Sequence, residues 1–207
     1  MTIRVICWDW NGTLLDDVDI CLQVMNTVLV EFDRDPIDDV EHYRRLFRFP
    51  IQDFYAEVGL GAELFRPSAE AYLRLLAGRI GEAGLHSGAR DVLAAAARHG
   101  LRQVLASATV TDALHRQLEP HGIAGYFEQV LSIDDPYRAS KAEVIGTWVA
   151  AHGLRGSEVL VIGDTNHDRE IAESLGTRFV HFAAGHQWGQ GDTPSVDQLR
   201  ELIPLWG

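Results

Sequence analysis

Lysine is nearly missing from this 207-residue chain: of eighteen basic residues seventeen are arginine, and the single lysine is Lys141. Cysteine is almost as scarce. Cys7 and Cys21 cannot make a disulfide framework and fit a reducing compartment. Positive charge is short overall, because eighteen basic against thirty acidic residues leave a formal charge of −12. That field repels nucleic-acid backbones and anionic membranes, so neither is an expected partner. No run approaches the ~18 apolar residues needed to span a bilayer, and the N-terminal apolar run is too short for a signal peptide. The expectation is a cytoplasmic protein, either a monomer or a homodimer. What is present is ordinary for a globular domain: 46% hydrophobic and 23% charged residues. A chain of this length buries roughly 70% of its unfolded surface, so a core needs no staples. An anion site, in contrast, has to be built locally.

Hydrophobic periodicity divides the chain into two kinds of segment. Residues 3–8 are a short run of β-formers leading into the turn Asn11-Gly12-Thr13, and read as a buried strand. Four helices are then predicted, over 17–32, 37–47, 51–58 and 67–80, broken at Pro36, Pro50 and the Gly59/Gly61 pair. From residue 88 onward helices and strands alternate. The helices cover 88–99, 111–119, 141–152 and 168–175, with Thr109 or Thr111 as the cap of the second. The strands cover 102–106, 129–132, 158–162 and 178–182, and 185–191 reads as a Gly-rich loop. Alternation of this kind implies right-handed crossovers and an α/β, doubly wound parallel-sheet (Rossmann-like) core. The expected domains are a core of residues 1–15 and 86–207 and an all-helical cap of residues 16–85, inserted after the first strand.

Open α/β sheets bind ligands beyond the carboxyl ends of their strands. The residues predicted there are Asp9, Ser107, the Lys141 region, Asp164 and Asp168. Each has a bland alternative: Asp9 or Ser107 could cap backbone amides, and carboxylates are at home near a helix start. Together they suit a phosphate held with Mg²⁺. Two strand-end carboxylates are oxygen ligands for such a cation, while a hydroxyl and a compact ammonium suit the remaining phosphate oxygens.

The stretches Cys-Trp-Asp9-Trp-Asn11-Gly-Thr13-Leu-Leu, Val-Leu-Ala-Ser107, Ser140-Lys141 and Val-Ile-Gly163-Asp164-Thr-Asn-His-Asp168 occur in that order. The chain thereby resembles the haloacid dehalogenase superfamily, in its phosphoglycolate-phosphatase-like branch, over nearly its whole length. The resemblance implies a Mg²⁺-dependent phosphatase acting on a small phosphorylated metabolite. Asp9 would form an aspartyl-phosphate. Asp9, the Asn11 carbonyl, Asp164 and Asp168 would hold the metal. Thr13, Ser107, Ala108 and Lys141 would hold the phosphate, with Lys141 also acting catalytically on the developing charge. Phosphonate cleavage would need a cap lysine, and the insertion has none. Dehalogenation would not need the metal-site aspartates.

Asn11 departs from the family pattern, which has a second aspartate there to protonate the leaving group and then deprotonate water. An amide can do neither. The loss is worth ~10²–10⁴-fold in rate and falls mainly on alkyl esters, because aryl and acyl phosphates leave as stable anions. Four explanations compete. One is a slow phosphatase, or one for an activated substrate, with His167 as a possible substitute acid–base. The others are a catalytically inactive relative that binds a phosphate or a partner, an Asp→Asn change made to trap a complex, and an Asn-Gly pair that deamidates to a carboxylate. In the insertion, Arg44 and Arg48 share a predicted helical face. Arg48 is the candidate to contact substrate, against a role balancing Asp38, Asp39 and Glu41. Trp8 and Trp10 should point away from Asp9 by strand alternation. The C-terminal 202–206 should cover either the sheet or an oligomer contact.

Overall fold

The computed structural model describes residues 2–133, 140–189 and 191–206. The first half runs β1 (Val5–Asp9), β2 (Leu15–Asp16), α1 (Val18–Glu31), α2 (Val40–Leu46), α3 (Ile51–Glu57), α4 (Ala62–Ala77) and β3 (Gly84–Leu85). The second half runs α5 (Ala89–Arg98), β4 (Arg102–Val110), α6 (Thr111–Leu118), β5 (Gln129–Ile133), α7 (Lys141–Ala151), β6 (Val159–Gly163), α8 (Asn166–Leu175), β7 (Arg178–Phe182) and β8 (Ser195–Val196). A 3₁₀ segment, Leu199–Trp206, ends it.

Six strands form one parallel sheet in the order β5-β4-β1-β6-β7-β8. Alternation along the strands sorts side chains onto two faces. Ile6, Trp8, Leu105, Leu160 and Ile162 pack with Val92, Leu93 and Leu114 from α5 and α6, and with Leu199 and Leu202. Val5, Cys7, Val104, Val159 and Val161 face Ile145, Trp148, Ile171 and Ala172 from α7 and α8. The sheet is therefore covered on both sides, as the alternating pattern requires. The C-terminal segment covers the sheet through Leu199 and Leu202. The four helices α1–α4 enclose a separate apolar cluster built on Val28, Leu29, Tyr43, Phe54 and Leu60.

Several local expectations need correcting. The insertion is not wholly helical, because β2 and β3 pair antiparallel where the chain leaves and rejoins the core. The helix expected to start at Pro67 starts at Ala62, and Pro67 lies inside it. Ser68 Oγ donates to the carbonyl of Leu64 at 2.6 Å, within the turn that the imino acid disturbs. The second insertion helix begins at Val40 rather than residue 37, since Asp39 caps it by accepting from His42 N. Neither Thr109 nor Thr111 caps α6; that position belongs to Val110. Finally, β4 extends to Val110, although its regular pairing with β1 ends at Asp9↔Ala106 and its register with β5 shifts before Val110. Gln190, part of the expected loop 185–191, lies outside the described residues.

Candidate active site

Parallel strands deliver their carboxyl ends to one edge, and the candidate residues collect there. Asp9 ends β1, Ser107 follows the last regular pair of β4, and Asp164 follows β6. Two capped helices supply the rest. Ser140 accepts from Glu143 N and Glu143 reaches back to Ser140 N, which starts α7 at Lys141. Thr165 and Asp168 make the same reciprocal box at the start of α8.

These residues build an acid pocket. Lys141 Nζ donates to Asp9 Oδ1, and to Asp168 Oδ1 at 2.6 Å. Asp168 Oδ2 accepts from Thr165 Oγ1 at 2.7 Å. Thr13 Oγ1 lies 2.9 Å from Asp164 Oδ1 and 3.3 Å from Asp9 Oδ2. Oxygen atoms of Asp9, Asp164 and Asp168 lie within 4.8 Å of one another. One lysine cannot balance three buried carboxylates. Burial accordingly pushes Asp9 well above the usual carboxylate range and Asp164 up to about 6. Burial acts on Asp168 in the same sense, but Lys141 overrides it and holds that carboxyl low. The same two aspartates overcome the burial of Lys141 and raise its pKa. A divalent cation with oxygen ligands fits this excess of negative charge.

Beside it lies an amide pocket. Asp17, fully buried, accepts from Asn11 Nδ2 at 2.8 Å, Gly12 N at 2.7 Å and His186 Nε2 at 3.3 Å. Tyr43 OH is bonded to His186 Nδ1 at 3.0 Å. Burial opposes charge on both Asp17 and His186, yet each charge holds the other. The Asp17 carboxyl falls below its ordinary value and the His186 imidazolium rises to about 9. The turn permits this closeness only because residue 12 is glycine. Its φ is +73°, and a Cβ there would fall on Asp164 Oδ2 and His186 Cδ2. On the other side, Asn11 Oδ1 accepts from Thr109 Oγ1 at 3.2 Å, and Thr109 Oγ1 accepts from Ser107 Oγ at 3.0 Å. Ala108 lies exposed in the same irregular stretch of β4.

The insertion docks on this edge. Arg44 donates to the carbonyls of Ala184 and Gly185 at 2.5 and 2.7 Å. Phe47 stacks on His186, and Phe49 stacks on His167 at 4.9 Å. Asn166 and Phe49 exchange two hydrogen bonds of 3.0 Å. Arg48 does not share in this. Because α2 stops at Leu46, Arg48 leaves the helical face of Arg44, and it pairs with Glu57 at 3.4 Å within the insertion. The expected balance with Asp38, Asp39 and Glu41 is thus replaced by Glu57. His167 is half-buried against Phe49, and burial lowers its pKa. Trp8 and Trp10 pack on the opposite face from Asp9, as alternation predicts, with their indoles donating to Gln103 and Gln117.

Sequence reasoning missed Asp17, His186, Tyr43, Thr109 and Thr165. Thr165 carried a readable signal, the three-residue spacing of a capping box to Asp168. Asp17 and His186 are 169 residues apart, and no local pattern joins them.

The family profile described as haloacid dehalogenase-like hydrolase matches residues 6–182 of this chain. The phosphoglycolate phosphatase of Pseudomonas savastanoi pv. phaseolicola is 23% identical, over 97% of this chain and 79% of its own length. A haloacid dehalogenase-like family hydrolase from Streptococcus pneumoniae superimposes with a TM-score of 0.82 at 20% identity, covering 99% of both chains. Protein Tyrosine Kinase A of Mycobacterium tuberculosis superimposes with a TM-score of 0.81 at 21% identity, covering 100% of this chain and 99% of that one. Structural likeness at this identity establishes the fold and leaves the chemistry to the site.

Proposed function

The chain belongs to the haloacid dehalogenase-like hydrolases, and from that premise we propose that it is a phosphatase hydrolysing a small phosphate monoester through Asp9. The observation that carries this reading is the acid pocket, where Asp9, Asp164 and Asp168 crowd around a single buried lysine. Phosphoglycolate phosphatases among its relatives support the substrate class. Asp9, the Asn11 carbonyl, Asp164 and Asp168 would hold Mg²⁺, which neutralises charge on the phosphoryl oxygens when bound.

Asp9 attacks phosphorus in line, the bond to the leaving oxygen breaks, and an aspartyl-phosphate remains. Water then attacks that phosphorus, returning Asp9 as a carboxylate and releasing inorganic phosphate. Lys141, Ser107, the Ala108 backbone and Thr13 orient the phosphoryl group and offset its charge. Asn11 neither gives a proton to the leaving group nor takes one from water. Esters whose leaving group is already a stable anion are therefore preferred. The insertion of residues 16–85 acts as a cap that excludes water. No helix among the described residues is long and apolar enough to cross a membrane, and a cytoplasmic location suits a small metabolite as substrate.

Initial rates with an aryl and an alkyl phosphate, with and without Mg²⁺, test this reading. The expected result is Mg²⁺-dependent aryl hydrolysis, alkyl hydrolysis slower by ~10²-fold or more, and loss of both in Asp9→Asn. Aryl hydrolysis that survives in Asp9→Asn would exclude the Asp9 route. No turnover of either ester would leave a phosphate- or partner-binding protein.

A further inference from the structure

Asn11 does not stand alone as a missing carboxylate. Two chains of donors run through the amide pocket, and both end on Asp17. One runs from Ser107 Oγ to Thr109 Oγ1, from Thr109 Oγ1 to Asn11 Oδ1, and then from Asn11 Nδ2 to Asp17 Oδ2. The other reaches Asp17 Oδ1 from His186 Nε2, whose Nδ1 meets Tyr43 of the insertion. Gly12 N adds a further donor to the same oxygen. An ionised carboxylate offers no donor, so Asp17 fixes which end of the amide faces it and turns Oδ1 toward Thr109.

We infer that Asn11 and Asp17 are a matched pair: Asp17 is the positioning residue that accepts the Asn11 amide, and a carboxylate works at position 11 only when residue 17 gives up its own. With Asn11→Asp alone, Thr109 still has an acceptor, but Asp17 loses a donor and faces a second acceptor at hydrogen-bond distance. Such a pair either repels or ties a proton between its two oxygens, and in both cases the new carboxyl is withheld from the reacting group. With Asp17→Asn added, the amide moves to position 17. Its Nδ2 donates to the carboxylate at position 11, and its Oδ1 accepts from Gly12 N or His186 Nε2. The Thr109, Gly12 and His186 donors keep their directions, and only the long Cys21 Sγ contact to Oδ2, at 3.7 Å, has to turn away. The pocket thus answers to both residues, and the general acid–base of the reaction cannot be restored by one substitution.

The catalytic half of this inference rests on the phosphatase reading above; the pairing itself does not. Asn11→Asp, Asp17→Asn and the double variant are compared with the unsubstituted chain in two assays, thermal melting without added metal and Mg²⁺-dependent hydrolysis of an alkyl and an aryl phosphate. Melting temperature is expected to fall in both single variants and to recover in the double, well above the sum of the two losses. Alkyl hydrolysis is expected to rise no more than a few-fold in Asn11→Asp and ~10²-fold or more in the double, so that the alkyl-to-aryl ratio moves toward one only when both residues change. Additive melting changes overturn the pairing. A full alkyl gain from Asn11→Asp alone also overturns it. Recovered stability with measurable aryl hydrolysis and an unchanged alkyl-to-aryl ratio overturns the positioning role. If no variant hydrolyses either ester, the phosphatase reading fails and melting alone decides the pairing.

Discussion

The two pockets at the sheet edge share a wall, His186, whose backbone N–H donates to Asp164 at 2.6 Å while its ring serves Asp17. They are otherwise opposites. The acid pocket sets three carboxylates against one ammonium, an excess of negative charge that opposes folding. The amide pocket sets one carboxylate against an imidazolium, an amide and a backbone N–H, and needs nothing more. On the proposed reading the reactive centre is left electrostatically incomplete for its ligands, whereas its scaffold is finished in advance.

The sharpest break of that contrast is Lys141→Met. It leaves Asp9 and Asp168 buried without their counter-ion, and the loss should be ~3–5 kcal/mol in urea denaturation. A loss below about 1 kcal/mol would mean that the acid pocket does not depend on its lysine. Lys141→Arg should not rescue it, because a planar fork does not replace a point charge between two carboxylates.

Titration should separate the pockets in chelated protein. His186 has a folded pKa of about 9 against an ordinary 6.5. Its stabilisation, about 3 kcal/mol, is complete below pH 6.5 and is lost as pH rises through 9. Asp164 runs the other way. Raised from 3.8 to about 6, it prefers to be neutral, so its ionisation costs stability as pH climbs from about 4 to 6. A His186→Gln variant should lose the fall in stability that His186 supplies between pH 6.5 and about 8, below the range where the buried Cys7 and Cys21 thiols add their own slope. Denaturant midpoints of the two proteins across that range read the difference, and a difference that does not change with pH would contradict the Asp17–His186 pair.

Tyr43→Phe is the mildest change. It removes the hydroxyl that accepts from the His186 imidazolium and links the insertion to the core, and should cost ~1.5–2 kcal/mol. A loss of 3 kcal/mol or more would make the tyrosine, rather than Asp17, the main support of the amide pocket.

Local features made much of this architecture readable. β1 with its turn, β6, and the helices at Lys141 and Asp168 announce themselves through apolar runs, caps and glycines, so the acid pocket was nearly complete on the sequence alone. The strand extension beyond Ser107, the β2–β3 ribbon and the short β8 exist only through non-local pairing, and no local periodicity encodes them. Asn11 was legible as a departure but not as half of a pair, because Asp17 reads as a helix start and His186 as loop. Arg48 was misplaced for a simpler reason: the helix meant to carry it ends at Leu46.

Covalent chemistry on Asp9, limited by the amide at position 11, carries a kinetic signature. Pre-steady-state hydrolysis of an aryl phosphate with Mg²⁺ tests it most directly. The aryl oxygen leaves without acid help, but the attacking water finds no base in Asn11, so the second step is slow. The expected result is a burst of phenolate stoichiometric with enzyme, a slow steady state, and one phosphoryl group on the peptide containing Asp9. Steady turnover with no burst and an unmodified Asp9 peptide would contradict it.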